Sequence, residues 1–176
     1  MRVLLLQRHA QAQSGATYAR DHDRELSESG KRDAERVGRY LSRIHAEPGY
    51  LLASSATRTR ETGQHLVRGL GTELEIHTTE ALYEARPQDV MEEIRGLPAG
   101  AGNGLLIGHQ PAWSEVVRRL TGAAVKMRTG AIACIHLEVL SWSHVHPRCG
   151  MLIWFLPPMA VVDVTSSDAE APASSD

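Results

Sequence analysis

Two rhythms of apolar residues run through the chain: short unbroken runs, and longer stretches in which apolar positions recur every three or four residues. The first run, Val3-Leu4-Leu5-Leu6, closes on Gln7-Arg8-His9 and predicts a strand buried on both faces of a parallel sheet. Tyr50-Leu51-Leu52-Ala53 and Leu105-Leu106-Ile107 predict two more strands, and residues 73–79 alternate well enough for another. Between the runs, Ala34, Val37, Tyr40, Leu41 and Ile44 lie at helical spacing, with Ser27 as N-cap and Pro48-Gly49 as the stop. Residues 57–66 predict a second helix, and Pro87 opens a third that Gly96 and Pro98 end. Pro111 is suited to start a fourth over residues 112–121, where Val116, Val117 and Leu120 form the apolar stripe. Residues 131–139 and 151–156 read as two strands joined by residues 141–150, able to pair as an antiparallel edge.

A length of 176 residues fits one ordinary domain, here expected over residues 1–160. Residues 161–176, rich in Ser, Ala and acids, bring no apolar face to bury and are expected to be a disordered acidic tail. The net charge of -2 with interspersed signs offers no general nucleic-acid or membrane surface, so any anion site must be local. Cys134 and Cys149 are too few and too widely spaced for a disulfide framework, which points to a reducing, intracellular setting. The opening apolar run is too short for a signal peptide and no later one is long enough to span a bilayer, so a soluble cytoplasmic protein is expected. His136, His144, His146 and Cys149 offer nitrogen and sulfur, but not the paired short spacings of structural zinc, and no metal or cofactor is expected. The glycine-rich residues 99–104 precede a strand and lack a Gly-Lys-Ser/Thr ending, so they read as a turn and not a nucleotide loop.

The chemistry gathers at strand ends, where open α/β sheets bind ligands. Arg8-His9 follows the first run, Ser54-Ser55 followed by Arg58 and Arg60 the second, and Gly108-His109 a third. Arginine at a helix start presents a planar fork to phosphoryl oxygens where unpaired N–H groups already favour an anion. Arg58 and Arg60 are two apart and point in different directions, so one of them is expected to belong to a charged face with Glu61. Arg8, Arg58 and protonated His109 together supply the positive charge a phosphoryl group needs, and His9 is the candidate nucleophile. The polar residues 11–24 read as a loop over the strand end, with Arg24 a solvated surface arginine.

The ordered set Arg8-His9-Ala10, Ser54-Ser55-Ala56-Thr57-Arg58-Thr59-Arg60-Glu61-Thr62 and Gly108-His109-Gln110-Pro111 resembles the histidine phosphatase superfamily. The Arg-His-Ala form, the short chain and the segments Leu82-Tyr83-Glu84-Ala85 and Arg128-Thr129-Gly130-Ala131 are similar to its SixA-like phosphohistidine phosphatase branch. The resemblance implies a three-layer α/β/α sandwich around a mostly parallel sheet, the phosphoglycerate mutase-like fold. It also implies that His9 becomes phosphorylated, that Arg8, Arg58 and His109 form the phosphate pocket, and that Glu84 stands where many members keep a proton donor. Two departures are Ala10, where the broader superfamily has glycine, and Ser55, where it often has proline.

The reading is a metal-independent phosphatase acting on protein phosphohistidine. Its alternatives are a small-molecule phosphomonoesterase of the same superfamily and a non-catalytic phosphate-binding protein. Partners are accordingly a phosphorylated protein or a small phosphate ester, with neither nucleic acid nor membrane; the oligomeric state is left open, a monomer included.

Overall fold

The computed structural model describes residues 1–157, so the expected acidic tail and the domain boundary at residue 160 lie outside the described residues. Strands and helices alternate along the chain as β1 (Arg2–Arg8), α1 (Glu28–Arg43), β2 (Tyr50–Ser54), α2 (Thr57–Leu70), β3 (Ile76–Thr79), α3 (Pro87–Arg95), β4 (Asn103–Gly108), α4 (Ala112–Thr121), β5 (Ile132–Leu137) and β6 (Gly150–Leu156). One sheet holds them in the order β3-β2-β4-β1-β5-β6. The first four are parallel, while β5 runs antiparallel to both β1 and β6.

Because successive side chains on a strand point to opposite faces, an unbroken apolar run feeds two cores at once. Leu4 and Leu6 of β1 join the helices α3 and α4 through Val90, Met91, Ile94, Trp113 and Val117. Leu5 faces the other way, toward Val37 and Leu41 of α1 and Leu66 and Leu70 of α2. The result is the expected three-layer α/β/α sandwich. On the second face α1 and α2 meet backbone to backbone, since a Cβ on Gly38 would strike the Leu66 carbonyl and one on Gly69 the Glu35 carbonyl.

Chain order sets the site. The path runs from β1 outward to β2 and β3 under α1 and α2, then returns across the opposite face through α3 to insert β4 between β2 and β1. The loops leaving β1, β2 and β4 therefore start side by side at a topological switch point, where a crevice opens. Register completes the alignment: Arg8 lies opposite Gly108, and Ala53 opposite Ile107.

Two boundaries lie inside those the pattern predicts. Helix α1 stops at Arg43, before Pro48-Gly49, because His45 turns left-handed (φ 52°) and the Ala46 N–H closes onto the Leu41 carbonyl at 2.9 Å. Strand β3 begins only at Ile76, the first residue with a partner on β2, Leu51. Helix α4 spans Ala112–Thr121 as the pattern predicts, with Pro111 at its N-cap. No helix among the described residues is long and apolar enough to cross a membrane.

Candidate active site

His9 lies one residue beyond β1 and its backbone is fixed from both sides. Its N–H donates to the Gly108 carbonyl at 3.0 Å, and its carbonyl accepts from the Gly130 N–H at 2.9 Å. The ring Nδ1 lies 2.8 Å from the Ala10 carbonyl, which can only accept, so Nδ1 carries the proton. In the neutral ring Nε2 is then left with a free lone pair. Ala10 is fully buried, and its N–H donates to Thr62 Oγ1 at 3.0 Å, tying the strand end to α2. The Thr62 hydroxyl in turn donates to the Arg58 carbonyl at 2.6 Å, one helical turn back.

His109 leaves β4 immediately after Gly108, where a side chain has no room: a Cβ there would collide with the Trp113 ring. A guanidinium only donates, so the 3.4 Å contact from Arg58 Nη2 makes His109 Nδ1 an acceptor. Nε2–H then donates to Ser54 Oγ at 2.9 Å, and Ser54 is fully buried at the end of β2. The two imidazoles stand 5.2 Å apart, tilted by 52°. Both are held far below the ordinary histidine value of 6.5. His9 is lowered to about 4, first by burial, with Arg58, Arg8 and Arg24 adding to it against the bond to Ala10. His109 is lowered to about 3 by burial, then by His9 and Arg58. The ring expected as a cation is thus kept neutral by its surroundings.

Positive charge comes from the arginines. Arg58, in the first turn of α2, is buried with 8% of its side chain exposed. Its Nη1 donates to the Asp21 carbonyl at 2.6 Å and its Nη2 to the Asp21 carboxylate at 2.9 Å. Arg8 donates from Nη1 to the Met127 carbonyl at 3.2 Å, while its buried Nε has no hydrogen-bond partner. Burial, and then Arg58, push the Arg8 guanidinium below its usual range. Two neighbouring guanidiniums, one of them with a buried N–H left over, favour the arrival of an anion.

Arg8, His9, Arg58 and His109 are therefore brought together from three strand ends. Glu84 is not part of that hydrogen-bonded set. It is exposed, with φ of 51°, on the loop after β3. Its neighbour Tyr83 reaches the site, edge-on to His109 at 5.7 Å and to His22 at 4.8 Å. Arg60 does not pair with Glu61; it is exposed and donates to Thr57 Oγ1 at 3.3 Å. Glu61 instead accepts from the Leu26 N–H at 2.6 Å. Arg24 is not a solvated charge either: it holds Asp21 Oδ1 at 2.9 Å and the Gln13 carbonyl at 2.7 Å.

Sequence reasoning missed the roles of Asp21, His22, Ser54, Thr62 and Tyr83. For Thr62 the signal was present, four residues after Arg58 on a helix. Asp21 and His22 sit in a 3-10 turn with no periodicity to mark them. In the His- and Cys-bearing loop, the buried Cys149 accepts from the His146 N–H at 3.4 Å. Among the described residues no group of three or more His, Cys, Asp or Glu side chains is arranged to hold a metal ion.

Comparison with known proteins bears on the fold and the family. An uncharacterized chloroplastic protein of Arabidopsis thaliana is 30% identical over 172 residues, covering 92% of this chain and 78% of the relative. An uncharacterized protein of Mycobacterium leprae is 31% identical over 148 residues, 78% of this chain and 89% of the relative. Among solved structures, one reported as the phosphohistidine phosphatase SixA of Nakamurella multipartitia superposes with a TM-score of 0.78 at 27% identity, covering 90% of this chain and 97% of that one. The protein histidine phosphatase SixA complexed with tungstate matches with the same TM-score of 0.78 at 20% identity, over 91% and 99% of the two chains, and so shares the fold. The model of the histidine phosphatase superfamily (branch 1) matches residues 4–96, and the chain belongs to that superfamily.

Proposed function

We propose that this protein is a metal-independent phosphatase that hydrolyses protein phosphohistidine through a covalent phospho-His9 intermediate. The observation that carries the reading is the state of His9. Its Nδ1–H is spent on the Ala10 carbonyl, and burial beside Arg58 and Arg8 keeps the ring uncharged, so Nε2 has a lone pair to offer phosphorus at neutral pH.

The steps follow from the donors around it. Arg8 and Arg58 hold the non-bridging oxygens and supply the positive charge that phosphoryl transfer requires. The phosphoryl anion offsets those two guanidiniums and makes protonation of His109 favourable, adding a third donor. The substrate ring takes up a proton from solvent on its free nitrogen, and His9 Nε2 forms a bond to phosphorus while the phosphorus–nitrogen bond breaks, so that the substrate leaves as neutral imidazole. Water then attacks phospho-His9, releasing orthophosphate, one proton and the neutral imidazole. Imidazole is a better leaving group than an alkoxide, so the reaction depends little on a general acid. That suits a site whose candidate acid, Glu84, is exposed and outside the hydrogen-bonded set.

Four measurements test the proposal. Quenching in alkaline denaturant followed by mass determination of wild type mixed with a phosphohistidine protein is expected to trap one phosphoryl group, stable in alkali and labile in acid, on the peptide containing His9. His9→Ala is expected to abolish both that adduct and orthophosphate release; release at the wild-type rate would overturn the reading. Wild type assayed on small phosphate esters decides the substrate class, since faster turnover of those esters than of phosphohistidine protein favours the phosphomonoesterase. Arg58→Ala is expected to lower kcat/KM by about a hundredfold or more, because a transition-state charge loses its partner.

A further inference from the structure

We infer that Asp21 is a positioning residue, one that fixes the orientation of the Arg58 guanidinium for an oxyanion. The inference rests on the reading of Arg58 as a phosphoryl ligand. It goes beyond that reading by assigning a job to the loop over the strand ends.

An ordinary ion pair at the surface contributes little, because both partners are solvated and mobile. The Asp21–Arg58 pair is built differently. Arg58 is nearly sealed from solvent, and both of its terminal nitrogens are engaged by one residue, Nη1 by the main-chain carbonyl at 2.6 Å and Nη2 by the carboxylate at 2.9 Å. Two contacts to a planar fork fix rotation about the last side-chain bonds, which one contact would leave free. The remaining donors of the guanidinium then point in a set direction.

Asp21 is itself restrained. Its second carboxylate oxygen accepts from Arg24 at 2.9 Å, and Arg24 is anchored by Nε and Nη2 on the Gln13 carbonyl at 3.1 and 2.7 Å. The base of the loop is closed where the Gln13 N–H meets the Glu25 carbonyl at 2.9 Å, beside the bridge between Ala12 and Leu26. Leu26 N–H donates to Glu61 at 2.6 Å, and Glu61 lies one turn along α2 from Arg58. The loop is thus pinned to α2 at two points, with Asp21 facing the guanidinium.

Holding a long side chain in one geometry before the ligand arrives removes an entropic cost from binding. An Arg58 that keeps the main-chain carbonyl but loses the carboxylate would have to be ordered in part by the anion itself. The effect should therefore travel entirely through residue 58, and that is what separates positioning from a general loosening of the loop.

The test is a double-mutant cycle read by tungstate affinity, measured calorimetrically on the full-length chain. Asp21→Ala is expected to weaken tungstate binding about tenfold, a typical coupling for groups in direct contact. Asp21→Asn keeps a side-chain oxygen acceptor, which Asp21→Ala loses while both keep the main-chain carbonyl, and is expected to stay within about threefold of wild type. In an Arg58→Lys background, which keeps the charge and loses the fork, Asp21→Ala is expected to change affinity by less than about twofold. An equal loss in both backgrounds, or no loss from Asp21→Ala alone, would overturn the inference. Thermal unfolding of each variant is followed in parallel; loss of the folded transition in Asp21→Ala leaves the Asp21→Asn and Arg24→Gln pair to decide, with weakened tungstate binding expected from Arg24→Gln only and unaltered binding counting against it. Failure of the phosphatase reading is seen separately, in wild type that neither binds tungstate nor depends on His9.

Discussion

His9 and His109 face each other at 5.2 Å with each proton assigned by a neighbour, Nδ1–H of His9 on the Ala10 carbonyl and Nε2–H of His109 on Ser54. Burial and the neighbouring arginines oppose the charging of both imidazoles, and His9 adds to the effect on His109. Their ring protons followed by NMR should titrate near pH 4 for His9 and near pH 3 for His109. A midpoint near 6.5 for either ring would show that the site is open to water and its charge balance is different.

The same two histidines tie stability to pH. Both have folded values below the unfolded value of about 6.5, so between that pH and the folded values the unfolded chain binds more protons. Their neutral burial is without penalty above pH 6.5, and stability falls as pH drops from there toward 4 and 3. The thermal midpoint of wild type should decline across that window, and a His9→Asn/His109→Asn variant should decline less steeply. Parallel curves for the two proteins would assign the acid sensitivity to other groups.

Ser54 is the acceptor that fixes the His109 tautomer, and it is fully buried. Ser54→Ala leaves a buried imidazole N–H without a partner, a loss of about 1–3 kcal/mol in urea unfolding. Because the ring also loses its orientation, kcat is expected to fall about tenfold or more on any substrate the enzyme turns over. A stability loss with unchanged kcat would show that His109 is held by Arg58 alone.

Glu84 is expected to matter in proportion to how poor the leaving group is. Glu84→Gln should leave turnover of phosphohistidine protein within about threefold, and slow an alkyl phosphate by about a hundredfold if that ester is a substrate. Equal large losses on both would make Glu84 a general acid for the whole reaction, delivered by movement of its loop.

Much of this was legible before any coordinates. The run Leu4-Leu5-Leu6, apolar at every position, can only be a strand with helices on both sides, and its two faces do feed separate cores. Residues placed directly after such runs, His9 and His109, reached the site because β1 and β4 are neighbours in register, Arg8 opposite Gly108. The misassigned arginines share one cause. Arg24 and Arg60 were read by their sequence neighbours, whereas their partners were decided elsewhere: Glu61 went to the Leu26 N–H across 35 positions, and Arg24 to Gln13 and Asp21 within a folded loop.

Local pattern by itself determined the elements, the strand-end placement of the reactive side chains and the family, because hydrophobic periodicity and short motifs are properties of neighbouring residues. The tertiary structure alone decided which protons sit on which nitrogens, that both imidazoles are neutral, and that Asp21 holds Arg58. Those depend on burial and on donors and acceptors such as Ala10, Ser54 and Asp21, whose meeting with the site is set by strand order and loop path; polar contacts between distant positions leave no periodic trace along a chain.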